Sequence, residues 1–161
     1  MHFYLNIDGV LVDTKSDTYA KGAIELIEYV TSEFDCYWLT THCKGDAAPA
    51  IEYLSGYFPP EVMEKLKKFK PTYWEDLKTE GIDFDEDFIW LDDYPFQAEL
   101  EVLKNFSVSE SLYRVDLRNE YELANVLAYL KGIKVKRRKR IMTFVYILVG
   151  LILSIVIGKV V

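Results

Sequence analysis

Four short apolar runs alternate with stretches of helical periodicity along the first 130 residues. The runs are 3–7 (FYLNI), 36–41 (CYWLTT), 88–91 (FIWL) and 112–117 (LYRVDL). Each is short and apolar enough to be a buried strand. Between the first two, Ala20, Ala23, Ile24, Ile27, Val30 and Phe34 fall on one helical face over 20–34. Pro60 stands in the first turn of a helix over 60–69 that carries Val62, Met63, Leu66 and Phe69. Pro95 opens a third helix with Phe96, Leu100 and Leu103. Asn119 caps a fourth with Leu123, Val126, Leu127 and Leu130, which Gly132 is expected to end. Continuous apolar strands separated by amphipathic helices predict an α/β fold: a three-layer, Rossmann-like, mostly parallel sheet with helices on both faces and the strand of 3–7 at its centre.

The pattern changes abruptly after residue 130. Residues 131–140 (KGIKVKRRKR) carry seven positive charges and no negative one, and 18 uncharged residues follow from Ile141 to Gly158. As a helix, 141–161 would be roughly 31 Å long, enough for a bilayer core. It has no polar face to show to water. The expected organisation is a domain over 1–130, a basic juxtamembrane linker over 131–140 and a single transmembrane helix over 141–161. The basic collar places the domain on the cytoplasmic side of a single-pass membrane protein. It also attracts anionic lipid at about 1 kcal/mol per residue.

Charge narrows the partners. Residues 1–130 hold 26 acidic against 11 basic residues, a net charge of −15. Such a domain repels a polyanion, so nucleic acid is not an expected ligand. The two cysteines, Cys36 and Cys43, form no disulfide framework and read as reduced thiols. The N-terminus has no basic stretch followed by an apolar run, so no secretory signal is expected.

In parallel sheets ligands sit at the carboxyl ends of the strands, and the polar residues gather there. The first strand ends in Asn6-Ile7-Asp8-Gly9, the second in Thr40-Thr41-His42 and the third in Asp92-Asp93, with Lys78 lying 14 residues before Asp92. Carboxylates with a hydroxyl and an ammonium suit a hydrated divalent cation and a phosphate.

These residues resemble the haloacid dehalogenase superfamily of phosphotransferases, over essentially all of 1–130. Tyr4-Leu5-Asn6-Ile7-Asp8-Gly9-Val10-Leu11 is similar to its first motif, Trp38-Leu39-Thr40-Thr41 to the second and Ile89-Trp90-Leu91-Asp92-Asp93 to the fourth. Lys78 best matches the lysine of the third, with Lys70 as runner-up. The runs DGVL and WLDD look closest to small capless members, including the domain of nucleic-acid end-repair proteins. The resemblance implies Mg²⁺ as cofactor, held by the Asn6 side chain, the Asp8 backbone carbonyl and Asp92 or Asp93. It implies Asp8 as general acid/base, and Thr40 and Lys78 on the phosphoryl group.

One departure governs the function. The family's nucleophilic aspartate is Asn6 here, and a neutral amide is no substitute for an anionic oxygen. Three explanations stand open: a pseudophosphatase that binds a phosphorylated ligand or partner without turnover, a phosphohydrolase using metal-bound water with Asp8 as general base, or an introduced trapping substitution. Only a short flap over Leu11 to Thr18 and one or two short helices over 42–77 interrupt the fold, so no cap domain is expected. An open site accepts a large phosphorylated macromolecule.

Other residues have plainer expectations. His42 and Cys43 lack spaced partners for zinc, and His42 is expected on the pocket rim. Tyr37, Trp38, Tyr73, Trp74 and Trp90 are expected in the core. The run 83–87 (DFDED) reads as a solvated loop, and Lys65, Lys67, Lys68 and Lys70 as the wet side of a helix.

Overall fold

A computed structural model describes residues 1–134 and Met142. The chain forms β1 (His2–Leu5), β2 (Val12–Asp13), β3 (Thr18–Tyr19), α1 (Ala23–Glu33), β4 (Asp35–Trp38), α2 (Ala48–Leu54), α3 (Pro60–Leu66), β5 (Phe88–Asp92), α4 (Gln97–Asn105) and β6 (Leu112–Arg114). A further helix runs over 122–134. Residues Met1–Val126 make one compact unit.

The main sheet has the order β4-β1-β5-β6, and every pairing in it is parallel. The interior strand β1 sets Leu5 level with Trp38 on one side and Leu91 on the other, so the three strands end side by side. β2 and β3 form a separate antiparallel hairpin.

The apolar runs are continuous because both faces are covered. Tyr4, Leu39, Trp74, Ile82, Phe88, Trp90 and Leu103 form one buried cluster, to which α4 contributes Leu103. On the other face Phe3 packs against Phe34 with ring centroids 5.4 Å apart, and Trp38 stacks on Phe69 at 4.4 Å. Ala23, Leu26, Ile27 and Val30 of α1 are buried, the spacing of a single helical stripe. Burying each such large side chain contributes about 1.5–3 kcal/mol. The result is a parallel-sheet α/β core with helices on both faces.

Several expectations change in detail. Lys70 is not on a helix, because α3 ends at Leu66. Its backbone bridges to β4 instead, donating to Cys36 and accepting from Trp38, each at 2.9 Å. Tyr73 is not core: it is 64% exposed. Phe96 is also exposed and lies just outside α4, whose buried positions are Glu99 and Leu103. The last strand stops at Arg114 rather than 117, although Val115 still donates to the Asp92 carbonyl at 2.9 Å. Gly132 lies within helix rather than ending one, since it does not take the left-handed backbone that a terminating glycine uses.

The linker residues 135–140 and the segment 141–161, apart from Met142, lie outside the described residues. Among the described residues no helix is long and apolar enough to cross a membrane.

Candidate functional site

Beyond β1 the Asn6 backbone still donates to Leu91 at 3.0 Å, and the chain then turns sharply. Val10, Leu11 and Val12 all direct their N–H groups to the Ile7 carbonyl. The turn requires Gly9, whose φ of 72° is left-handed. A Cβ there would lie 2.1 Å from Asp93 Oδ2. Gly9→Ala is therefore expected to cost about 1–3 kcal/mol from the backbone alone and to push Asp93 away from Asn6. Urea unfolding measures the first effect, and the Asn6 side-chain amide resonances report the second.

The Asn6 side chain is buried, and its Nδ2 donates to the Asp8 carbonyl at 2.9 Å and to Asp93 Oδ1 at 3.1 Å. Both partners are acceptors, which obliges the nitrogen of the amide to face them. The Asp8 carboxylate points elsewhere. Its Oδ2 lies 2.9 Å from His42 Nε2, and its Oδ1 accepts from the Tyr53 hydroxyl at 3.0 Å. The His42 and Tyr53 rings stack at 4.2 Å, so each holds the other against Asp8. The Tyr57 hydroxyl lies 3.4 Å from that of Tyr53 and donates to Asp17 of the flap at 2.8 Å. Its contact with Tyr57, then burial, then the Asp8 carboxylate raise the Tyr53 phenol well above its ordinary value.

Thr40 is fully buried, with its Oγ1 3.5 Å from the His42 backbone nitrogen. Lys78 and Asp92 form a nearly enclosed ion pair, Nζ to Oδ2 at 2.6 Å, with side-chain exposures of 12% and 1%. Burial raises the Asp92 carboxyl, and Lys78 opposes that shift. The other Asp92 oxygen accepts from the Tyr94 backbone at 3.0 Å. Lys70, the other candidate for the lysine, pairs with Asp35 at the opposite end of β4.

Two features escaped the sequence reading. Glu99 is 1% exposed and accepts from the backbone nitrogens of Lys78 at 2.8 Å and Phe96 at 2.7 Å. One carboxylate thus caps α4 and fixes the turn that carries Lys78. A glutamate three residues into a helix start is a capping-box signal, and the run 95–99 (PFQAE) contained it. The second is a cavity of about 800 Å³ beside Gly9 and Asp93, lined also by Lys15, Tyr94, Arg114 and Arg118. Asp8, Thr40 and Lys78 do not line it.

The structure therefore joins Asn6, Asp8, Asp93, His42 and Tyr53 in one hydrogen-bonded group. Lys78 and Asp92 make a second, one residue along the chain from Asp93. Of the oxygens that the resemblance assigns to Mg²⁺, the Asp8 carbonyl and Asp93 Oδ1 accept from the Asn6 amide, and the two Asp92 oxygens accept from Lys78 and Tyr94. As arranged, it is the nitrogen of the Asn6 amide that faces the Asp8 carbonyl and Asp93. Among the described residues no three His, Cys, Asp or Glu are grouped to hold a metal. No family model, curated protein or solved structure matches the chain.

Proposed function

We propose that the chain is a haloacid-dehalogenase-like module that binds a phosphorylated partner without turning it over, anchored through 141–161 with its domain on the cytoplasmic side. The observation that carries this reading is the Asn6 amide, which bridges the Asp8 carbonyl and the Asp93 carboxylate. A neutral donor there satisfies the oxygens that would otherwise demand a cation, and it supplies no anionic nucleophile. Phosphate recognition without Mg²⁺ follows from the same substitution. The rival reading, hydrolysis with Asp8 as general base, has no observation that favours it: Asp8 Oδ2 lies against His42 and Oδ1 accepts from Tyr53.

The test uses the full chain in a neutral detergent. Phenyl phosphate should bind in a calorimetric titration equally well with Mg²⁺ and with a chelator, and phosphate release should not exceed the protein-free rate. Mg²⁺-stimulated release by the unsubstituted chain would overturn the reading, as would failure to bind phenyl phosphate at all.

A further inference from the structure

We infer that the cavity between the flap and the end of β6 is the phosphate-recognition site, with Lys15 and Arg114 clamping the phosphoryl group of a phosphorylated protein side chain. This rests on the phosphorylated-partner reading and adds where that partner sits, away from Asp8 and Thr40.

The cavity is marked by cations without a close ion pair among the described residues. Three carboxylates and three cations line the cavity. Each carboxylate is already served. Asp13 accepts from the Ser16 hydroxyl at 2.8 Å and the Lys15 backbone at 3.0 Å, bonds that hold its carboxyl below the ordinary range. Asp93 accepts from Asn6. Asp116 takes the Arg118 guanidinium through two of its nitrogens, which brings its carboxyl down to about 2. Two cations are left. Among the described residues, neither the Lys15 ammonium nor the Arg114 guanidinium makes an ion pair. Lys15 lies near enough to Asp13 and Asp116 to help lower both carboxyls, yet among the described residues neither Lys15 nor Arg114 is within ion-pair distance of an acid. A guanidinium offers a planar fork to phosphate oxygens and an ammonium adds a point charge. Together they match the two negative charges of a phosphomonoester.

The size and walls select the class of ligand. About 800 Å³ lies within the range of small-ligand pockets and leaves room beyond a phosphoryl group. Val115 and Leu117 give apolar wall, and Tyr94, 71% exposed, offers a ring face to a residue flanking the phosphate. The net charge of −15 over 1–130 repels a polyanion such as nucleic acid. A single dianion on an otherwise neutral peptide meets the two local cations at a smaller penalty than a polyanion incurs.

The experiment uses the full chain in neutral detergent and three probes: a terminally blocked tripeptide with a central phosphotyrosine, its unphosphorylated counterpart, and inorganic phosphate. Calorimetry should show the phosphopeptide binding and its counterpart at least about tenfold weaker. Arg114→Gln should weaken phosphopeptide binding by at least about tenfold, and Arg114→Gln with Lys15→Gln should abolish it. Both side chains are exposed, so these variants should retain the parent's unfolding midpoint. Amide resonances of Lys15, Tyr94 and Leu117 should shift on titration. If the phosphopeptide binds, the variants bind equally well and the shifts fall on Thr41, His42 and Lys78, the cavity assignment fails while the phosphorylated-partner reading survives. Inorganic phosphate binding as tightly as the phosphopeptide would overturn the protein side chain as source. If neither phosphate-bearing probe binds, both readings fall.

Discussion

Asn6→Asp should hydrolyse phosphomonoesters at least about a hundredfold faster than the unsubstituted chain, and only with Mg²⁺. A factor of one hundred corresponds to about 2.7 kcal/mol of barrier, the scale of one charged interaction gained at the reacting centre. The substitution changes two things at once. It removes the N–H donor that joins the Asp8 carbonyl to Asp93, and it puts a second carboxylate within hydrogen-bond distance of the first. Two carboxylates that close cannot both stay ionised without a cation between them. The variant should therefore gain Mg²⁺ affinity, seen as a Mg²⁺-dependent rise in unfolding temperature that the unsubstituted chain lacks. The new oxygen is also an anionic nucleophile. Adding Asp8→Ala should cancel the gain in rate. Equal rates for Asn6→Asp and the unsubstituted chain would show that residue 6 is not the position of attack.

The second large effect concerns location. The full chain should sediment with membranes and resist extraction by alkaline carbonate, whereas a chain ending at residue 140 should be recovered in the supernatant. The reason is the uncharged run from Ile141 to Gly158, flanked on its N-terminal side by the seven positive charges of 131–140. An 18-residue apolar run has no polar stripe to offer water, so the change in partitioning should be close to complete. Recovery of the full chain in the detergent-free supernatant would dispose of the anchor.

The parallel sheet was legible because its inner strands, β1 and β5, are buried on both faces. FIWL and CYWL carry no polar alternation, and that pattern has few other uses in a chain of this size. The strand-end residues were legible as a group for the same reason: polar residues at the ends of otherwise apolar runs stand out. Their partners were not. Asp92 and Asp93 are neighbours in sequence, yet Asp92 turns to Lys78 in the interior and Asp93 to Asn6. Nothing in an Asp-Asp pair says which carboxylate takes which direction. Tyr73 read as core because it precedes Trp74, but only the tryptophan is buried. The cavity was invisible because Lys15 and Arg114 lie 99 positions apart, one in the flap turn and one at a strand end. Only the fold brings Lys15 and Arg114 to one wall.

The two-acceptor grip on Asn6 also bears on chemical ageing. An asparagine becomes an aspartate when the next backbone nitrogen attacks its side-chain carbonyl, ammonia departs and water opens the cyclic imide that remains. At this position the attacking nitrogen belongs to Ile7, which is fully buried and β-branched, so the cyclic intermediate is crowded at its formation. The nitrogen that would depart is held by the Asp8 carbonyl and Asp93. Spontaneous deamidation by this route, which would give the chain the charged side chain without a mutation, is thus opposed at both the attacking and the leaving atom.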